Sequence, residues 1–377
     1  MIEKKMLFAP GPVMTPERVK MAALAPDICH RRPIFEKLYS DIRNNLLKLF
    51  QGEKDEYTTV VVSGSGTSSN ETVLSSVIEG NKKVLLISNG EFGNRLKNII
   101  SCYGIGLNLL EYKWAEYPDL TEIENQLKAD KDISLISMVY HETSTGMINP
   151  VHEVGKLARY YNKMYHVDAI SAIGGEDVNV KNDNIDFCTG VPNKAVGGQT
   201  GVSFICVRRA NIRRIKNIPR RNIYLNLQHH IIEAEGHNQT PNTPSVTMFL
   251  TLNEALKVLF EEGIQKRIRR YQEDAAIIRK GCRELNLEFL LKDESVMSNT
   301  VTSLFLPTEI GVKDFINEMD NEGYVLYPGK GSLLNKNIFQ VANMGQIFPE
   351  DCREFIRVLE KVLRKGIKTG VYSLCSK

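Results

Sequence analysis

The chain has 377 residues, 42% hydrophobic and 25% charged, with 48 basic against 45 acidic residues and a net charge of +3. This is the make-up of a globular chain long enough for two domains, and it excludes the strong positive field of a nucleic-acid or anionic-lipid binder. The start, Met1 to Met6, lacks the apolar core of a signal peptide, and no apolar run reaches membrane-spanning length.

Other features narrow the class further. Seven cysteines (Cys29, Cys102, Cys188, Cys206, Cys282, Cys352, Cys375) are scattered without CxxC pairing, which predicts reduced thiols in a cytoplasmic protein. His229-His230 lacks spaced partners and reads as a surface pair, so no metal site is predicted. The densest basic stretch runs from Arg208 to Arg221. It carries no interleaved aromatic rings and reads as a solvated or subunit-facing surface rather than a nucleic-acid groove.

In chain order, strands are predicted at 57–62, 84–88, 107–111, 133–140, 164–168, 185–188 and 203–207. Helix-period segments lie between several of them, at 68–78, 94–103, 120–129 and 154–161. Alternation of this kind predicts an α/β fold with a mainly parallel sheet, ligands gathering at the C-terminal strand ends. Beyond residue 245, helices at 246–262 and 264–285 lead to a smaller α/β unit. It has strands near 300–306, 324–326 and 338–341 and helices at 312–322 and 349–365. The predicted division is 1–255, including an N-terminal arm, and 256–377.

Five strand ends carry chemistry. Ser63-Gly64-Ser65-Gly66-Thr67 joins a strand to a helix start, where bare amides attract an anion such as phosphate; a turn kept small for steric reasons has the same composition. It matches neither a P-loop nor the dinucleotide GxGxxG fingerprint. Gly90-Glu91-Phe92-Gly93 offers a ring able to stack on a flat heterocycle, or to cap a core. His141-Glu142-Thr143-Ser144-Thr145-Gly146 offers hydroxyls, or simply a helix-capping turn. Asp168 ends a buried strand and Lys194 lies in a turn between two apolar strands. An aspartate so placed can keep a pyridine nitrogen protonated, and such a lysine can form an imine with an aldehyde. Together they are what pyridoxal phosphate (PLP) requires.

The set resembles the class V, fold type I PLP-dependent aminotransferases, most of all the 2-aminoethylphosphonate–pyruvate transaminases. The likeness extends over nearly the whole chain, through Leu7-Phe8-Ala9-Pro10-Gly11-Pro12, Ser63 to Thr67, Glu142 to Pro150, Val167-Asp168-Ala169, Gly174-Gly175, Asn193-Lys194, Thr240 to Pro244 and Tyr327-Pro328-Gly329-Lys330. It implies a large domain around a mainly parallel seven-stranded sheet, a small C-terminal α/β domain, and a homodimer with shared sites. A small amine and a keto acid would be the substrates, with 2-aminoethylphosphonate and pyruvate as the expected pair.

Residue by residue, the resemblance implies that Lys194 carries PLP and moves the substrate proton, while Asp168 pairs with the pyridinium. Phe92 would stack on the ring. Ser65, Gly66 and Thr67 would hold the phosphate, with Thr143, Ile170 and Asn193 completing the pocket. Ile170 and Asn193 are equally compatible with packing and turn roles. Thr243 would reach the phosphate of the neighbouring subunit.

One position departs from the pattern. Where the family carries a carboxylate-gripping arginine, Phe339-Gln340-Val341 has Gln340. A neutral amide cannot form the charged fork, worth about 1.5–3 kcal/mol against roughly 1 for a neutral bond. Either Arg31, Arg32 or Lys330 supplies the charge, or the substrate lacks a carboxylate there, or the activity has drifted. Alternatives to a transaminase are a PLP lyase or another amine's enzyme, a non-catalytic PLP-fold protein, and a plain nucleotide binder.

Overall fold

Runs of β-branched and aliphatic residues build the centre of the molecule. In the computed structural model, which describes residues 3–369, seven of them pair into one sheet. They are β1 (Tyr57–Ser63), β2 (Lys83–Ser88), β3 (Gly106–Glu111), β4 (Ile133–Val139), β5 (Met164–Asp168), β6 (Phe187–Gly190) and β7 (Val202–Arg208). The order across the sheet is β1-β7-β6-β5-β4-β2-β3, with β7 antiparallel to both neighbours and the remaining pairs parallel. Parallel neighbours need a crossover, whereas β6 returns to β7 through a loop, so β7 can run backwards. That loop carries Lys194.

Helices cover both faces, which is why the central strands β4, β5 and β6 are buried along their whole length. Named in chain order, they are α1 (Pro33–Leu49), α2 (Gly66–Ser76), α3 (Glu91–Cys102), α4 (Leu120–Ala129), α5 (Val151–Tyr160), α6 (Leu227–His237), α7 (Val246–Glu262) and α8 (Ile264–Glu284). Phe249, Leu252, Leu256 and Leu259 of α7 bury in the core around the large sheet. A second core gathers Ile278 and Cys282 of α8 with Leu304, Phe315, Phe339 and Phe355. It lies between α8, α9 (Val312–Asn321), α10 (Pro349–Thr369) and a sheet of order β8-β9-β11-β10, comprising β8 (Glu288–Phe289), β9 (Val301–Phe305), β10 (Tyr327–Pro328) and β11 (Ile338–Ala342).

Four differences from the sequence reading have physical causes. Residues 185–188 were expected as a strand, but β6 is shifted to 187–190, because Gly190, having no side chain, pairs opposite Phe204; a Cβ there would come within 2.4 Å of that ring. The N-terminal arm, grouped by chain order with residues 1–255, docks on the C-terminal unit. Met6-Leu7 pairs with Tyr324-Val325, and Phe8 stacks on Phe355 at 4.5 Å between centroids. His230 is buried rather than on the surface: it lies on the inward side of α6 with Nε2 3.0 Å from the Tyr224 carbonyl, and burial lowers its pKa to about 4. The basic stretch is a solvated surface in its middle, where Arg213, Arg214, Lys216 and Arg220 are exposed, but not at its ends: Arg208 pairs with Asp186, Arg209 with Glu235, and Arg221 donates to the Ser75 and Ile78 carbonyls.

The cysteines at 29, 102, 188, 206, 282 and 352 are free; Cys375, Met1 and Ile2 lie outside the described residues. Among the described residues, no helix is long and apolar enough to cross a membrane.

Candidate active site

Because β1, β2, β4, β5 and β6 point the same way, the segments that follow them emerge at one edge of the sheet. They enclose a cavity of about 530 Å³ whose lining includes Ser65, Gly66, Thr67, Phe92, Asp168, Ile170, Asn193 and Lys194. Eight residues proposed from sequence therefore share one space. Thr143, Thr243 and Gln340 do not line it.

Asp168 is buried at the end of β5. Its Oδ1 accepts from the Ile170 amide at 2.9 Å and its Oδ2 from Asn70 Nδ2 at 2.6 Å, while Thr189 Oγ1 donates to Asn70 Oδ1 at 2.6 Å. Burial raises the Asp168 pKa, and these two donors oppose it. A carboxylate held this way would gain from a cationic partner facing the cavity, such as a protonated pyridine. Asn70 and Thr189 were missed in the sequence. An Asn one turn into α2 and a Thr on the neighbouring strand carry no local motif.

Lys194 is half-buried and donates to the Pro10 carbonyl. Burial, then the charges of Lys330 and Arg95, lower its pKa to about 8, with Asp168 opposing. Its loop is anchored from behind: Tyr271 donates to the Ala195 carbonyl at 2.9 Å and Arg267 to the Val196 carbonyl at 2.7 Å. The N-terminal motif meets it from the front. Gly11 has φ +136°, and a Cβ there would lie 2.4 Å from Lys194 Nζ. Gly11→Ala is expected to slow PLP capture by the apoprotein at least ~10-fold, through backbone strain and displacement of the amine; stopped-flow absorbance reads it, and an unchanged rate would refute the contact.

Gly66 and Thr67 open α2 behind Ser65 with no side-chain cap, while the Gly64 amide before them is taken up by the Gly201 carbonyl at 2.9 Å. A Cβ on Gly66 would approach Ile170 Cδ1 to 2.6 Å, so glycine keeps this end of the cavity open. Unpaired amides at a helix start, next to an open space and backed by Thr67, suit a phosphate. With a flat aromatic wall at Phe92, a buried carboxylate and a depressed lysine, the cavity fits PLP. Ser65, Gly66 and Thr67 would hold its phosphate, Phe92 and Ile170 its ring, and Asp168 its nitrogen.

The His141–Gly146 stretch does different work from that expected. Glu142 is buried, and its carboxylate accepts from the Phe92 amide at 3.3 Å and the Gly93 amide at 3.1 Å, capping α3. Burial nonetheless lifts its pKa to about 7. The capping turn is thus the observed reading, and it fixes Phe92. Thr143 Oγ1 donates to Ser171 Oγ at 2.6 Å, so its hydroxyl supports the cavity wall from behind. Thr243 is exposed on the loop before α7, beside a separate small recess near Ser63 and His230.

Gln340 is fully buried on β11, not directed into the cavity. Its Nε2 lies 2.8 Å from the Thr143 carbonyl, 3.1 Å from that of Ser144 and 2.9 Å from Ser303 Oγ. It ties the small sheet to the turn that caps α3. Gln340→Leu leaves those buried carbonyls unpaired and is expected to cost about 1–3 kcal/mol of stability; an unchanged denaturation midpoint would contradict the tether. Of the cations named as substitutes, Arg31 donates to the Thr240 carbonyl at 3.2 Å and is not part of the lining, whereas Lys330 is. Arg95, overlooked in the sequence, lines it too.

Comparisons agree with this geometry. The model of the family described as Aminotransferase class-V matches residues 21–343. A bifunctional phosphonoacetaldehyde hydrolase/aminoethylphosphonate transaminase of Clostridioides difficile is 34% identical over 95% of this chain, which spans only 56% of that longer protein. A 2-aminoethylphosphonate–pyruvate transaminase of Phocaeicola vulgatus is 30% identical over 95% of this chain and 99% of its own. The crystal structure of ureidoglycine–glyoxylate aminotransferase from Bacillus subtilis superposes with a TM-score of 0.89 at 25% identity, covering 98% of both chains. The chain belongs to the class V aminotransferases and is a PLP-dependent transaminase of fold type I.

Proposed function

We propose that this transaminase takes its amino group from 2-aminoethylphosphonate and delivers it to pyruvate, with Lys194 as the residue that carries the cofactor. The observation that carries the reading is the meeting of Lys194 and Asp168 in one cavity beside the open start of α2. The substrate pair rests on the relatives of that name. When bound, PLP supplies an electron sink for the carbanion left when the donor loses its Cα proton. The chain's own part is to move that proton. Lys194 Nζ, partly desolvated and easily neutral, can accept it and return it, while Asp168 holds positive charge on the ring nitrogen. Phe92, fixed by the Glu142 cap, sets the plane of the ring. Asn193 borders the same space.

The same proposal includes a homodimer in the cytoplasm. Thr243, exposed and outside its own cavity, would be available to a second copy. It also includes the division at residue 255, with the N-terminal arm docked on the second unit. A second reading, favoured by the inward-facing Gln340, is a different amine donor or a lyase.

Mixing purified enzyme with 2-aminoethylphosphonate and pyruvate should yield alanine; none above background removes this substrate pair. The lysine also sets a pH dependence. Only the neutral amine attacks an aldehyde, so PLP capture by the apoprotein should rise roughly tenfold per pH unit and level off near the Lys194 pKa of about 8. A rate still climbing toward pH 10 would mean an ordinary lysine.

A further inference from the structure

Arg95 and Lys330 are unusual among the cations of this protein. Both border the active cavity, yet neither has a hydrogen bond or an ion pair with a carboxylate among the described residues. Each lies over an aromatic face instead. The Arg95 guanidinium carbon is 4.9 Å from the Phe92 centroid and Lys330 Nζ 5.0 Å from that of Tyr327. Arg95 stands exposed at the mouth on α3; Lys330 is half-buried and enters from the small unit. Burial and then the Arg95 charge lower the Lys330 pKa, with Glu91 opposing, and both cations add to the burial that lowers the pKa of Lys194. Crowding cations around a cavity without a paired carboxylate is costly unless an anion completes the set.

The phosphate end of the cavity does not account for them. That end starts after β1, at one edge of the sheet, while Arg95 belongs to the helix after β2, near the other edge. Lys330 follows from Tyr327, which lies opposite Gln340 in the β10–β11 register. The strand next to the neutral position thus delivers a charge to the cavity that Gln340, turned toward Thr143 and Ser144, does not.

We propose that Arg95 and Lys330 together form the subsite for the substrate's acid group, and that it is built for a tetrahedral dianion. Two separate cations entering from different elements suit oxygens on different faces of a phosphonate; a planar carboxylate is better met by one bidentate fork. This deepens the transaminase reading above and rests on it.

The test titrates the PLP-loaded enzyme with ethylphosphonate and with propionate, neither of which has an amine to react, by calorimetry. Ethylphosphonate should bind at least ~10-fold more tightly than propionate. Lys330→Met and Arg95→Met should each weaken ethylphosphonate binding ~10-fold or more, and Lys330→Arg should restore most of the loss. Arg32→Ala should bind as the unaltered enzyme does. Visible absorbance of the bound cofactor verifies that each variant retains its site. Ethylphosphonate affinity unchanged in both methionine variants overturns the subsite, as does loss in Arg32→Ala alone. Equal affinity for the two probes overturns the dianion assignment. Probe binding without alanine formation would instead remove the proposed donor and acceptor and leave the subsite intact.

Discussion

Lys194→Ala is expected to fold, bind PLP without a covalent bond, and lose roughly 10²–10⁴-fold in aminotransfer from the missing proton transfer alone. The fold is safe because the loop is held by its backbone. Tyr271 and Arg267 reach the carbonyls of Ala195 and Val196, and the lysine side chain itself meets the Pro10-Gly11 backbone and the cavity. Borohydride reduction followed by peptide mapping distinguishes the cases. The unaltered enzyme should yield a reduced adduct on the peptide containing residue 194, and the variant none. An adduct elsewhere in the unaltered enzyme would move the reactive amine to another lysine, and Lys330 also lines the cavity.

Asp168→Asn should lower turnover by roughly 10²–10³-fold, the scale of removing one preorganised electrostatic partner from a reacting centre. Volume barely changes, so packing is not at issue. The charge is lost, and the hydrogen-bond pattern is wrong as well: both carboxylate oxygens accept, from Ile170 and from Asn70, whereas an amide has one accepting atom and a donor in place of the other. Asn70 can turn over to relieve the clash, with Thr189 reorienting its hydroxyl, so the variant should fold. Its bound cofactor should show a lowered ring-nitrogen pKa in a pH titration of the visible band. Near-normal turnover would mean that the ring nitrogen does not depend on this carboxylate.

The sequence was most informative where chemistry and secondary structure coincide. Strand ends at Asp168, at Ser63 to Thr67 and before Lys194 were legible because apolar runs stop abruptly at small or charged residues. Other elements were equally regular but went unread. In α1, Phe35, Tyr39, Ile42, Leu46 and Leu49 recur at helical spacing behind Pro33, a sufficient signal for a helix. Thr143 shows the opposite failure. A hydroxyl beside the right strand suggested contact with the ligand, but the backbone turns it toward Ser171, and the adjacent Glu142 takes the turn's main task.

By itself the sequence determined the alternation of strand and helix, and with it a sheet whose ends gather Asp168, Lys194 and the glycine turn. Periodicity and strand-end position depend on local spacing, which a linear chain displays. Only the tertiary structure decided the direction of Gln340, the docking of Phe8 on the far unit, the support of Asp168 by Asn70, and the approach of Arg95 to Lys330. Those are contacts between residues remote in sequence, set by how two cores pack against each other, and no local pattern encodes which way a buried side chain will face.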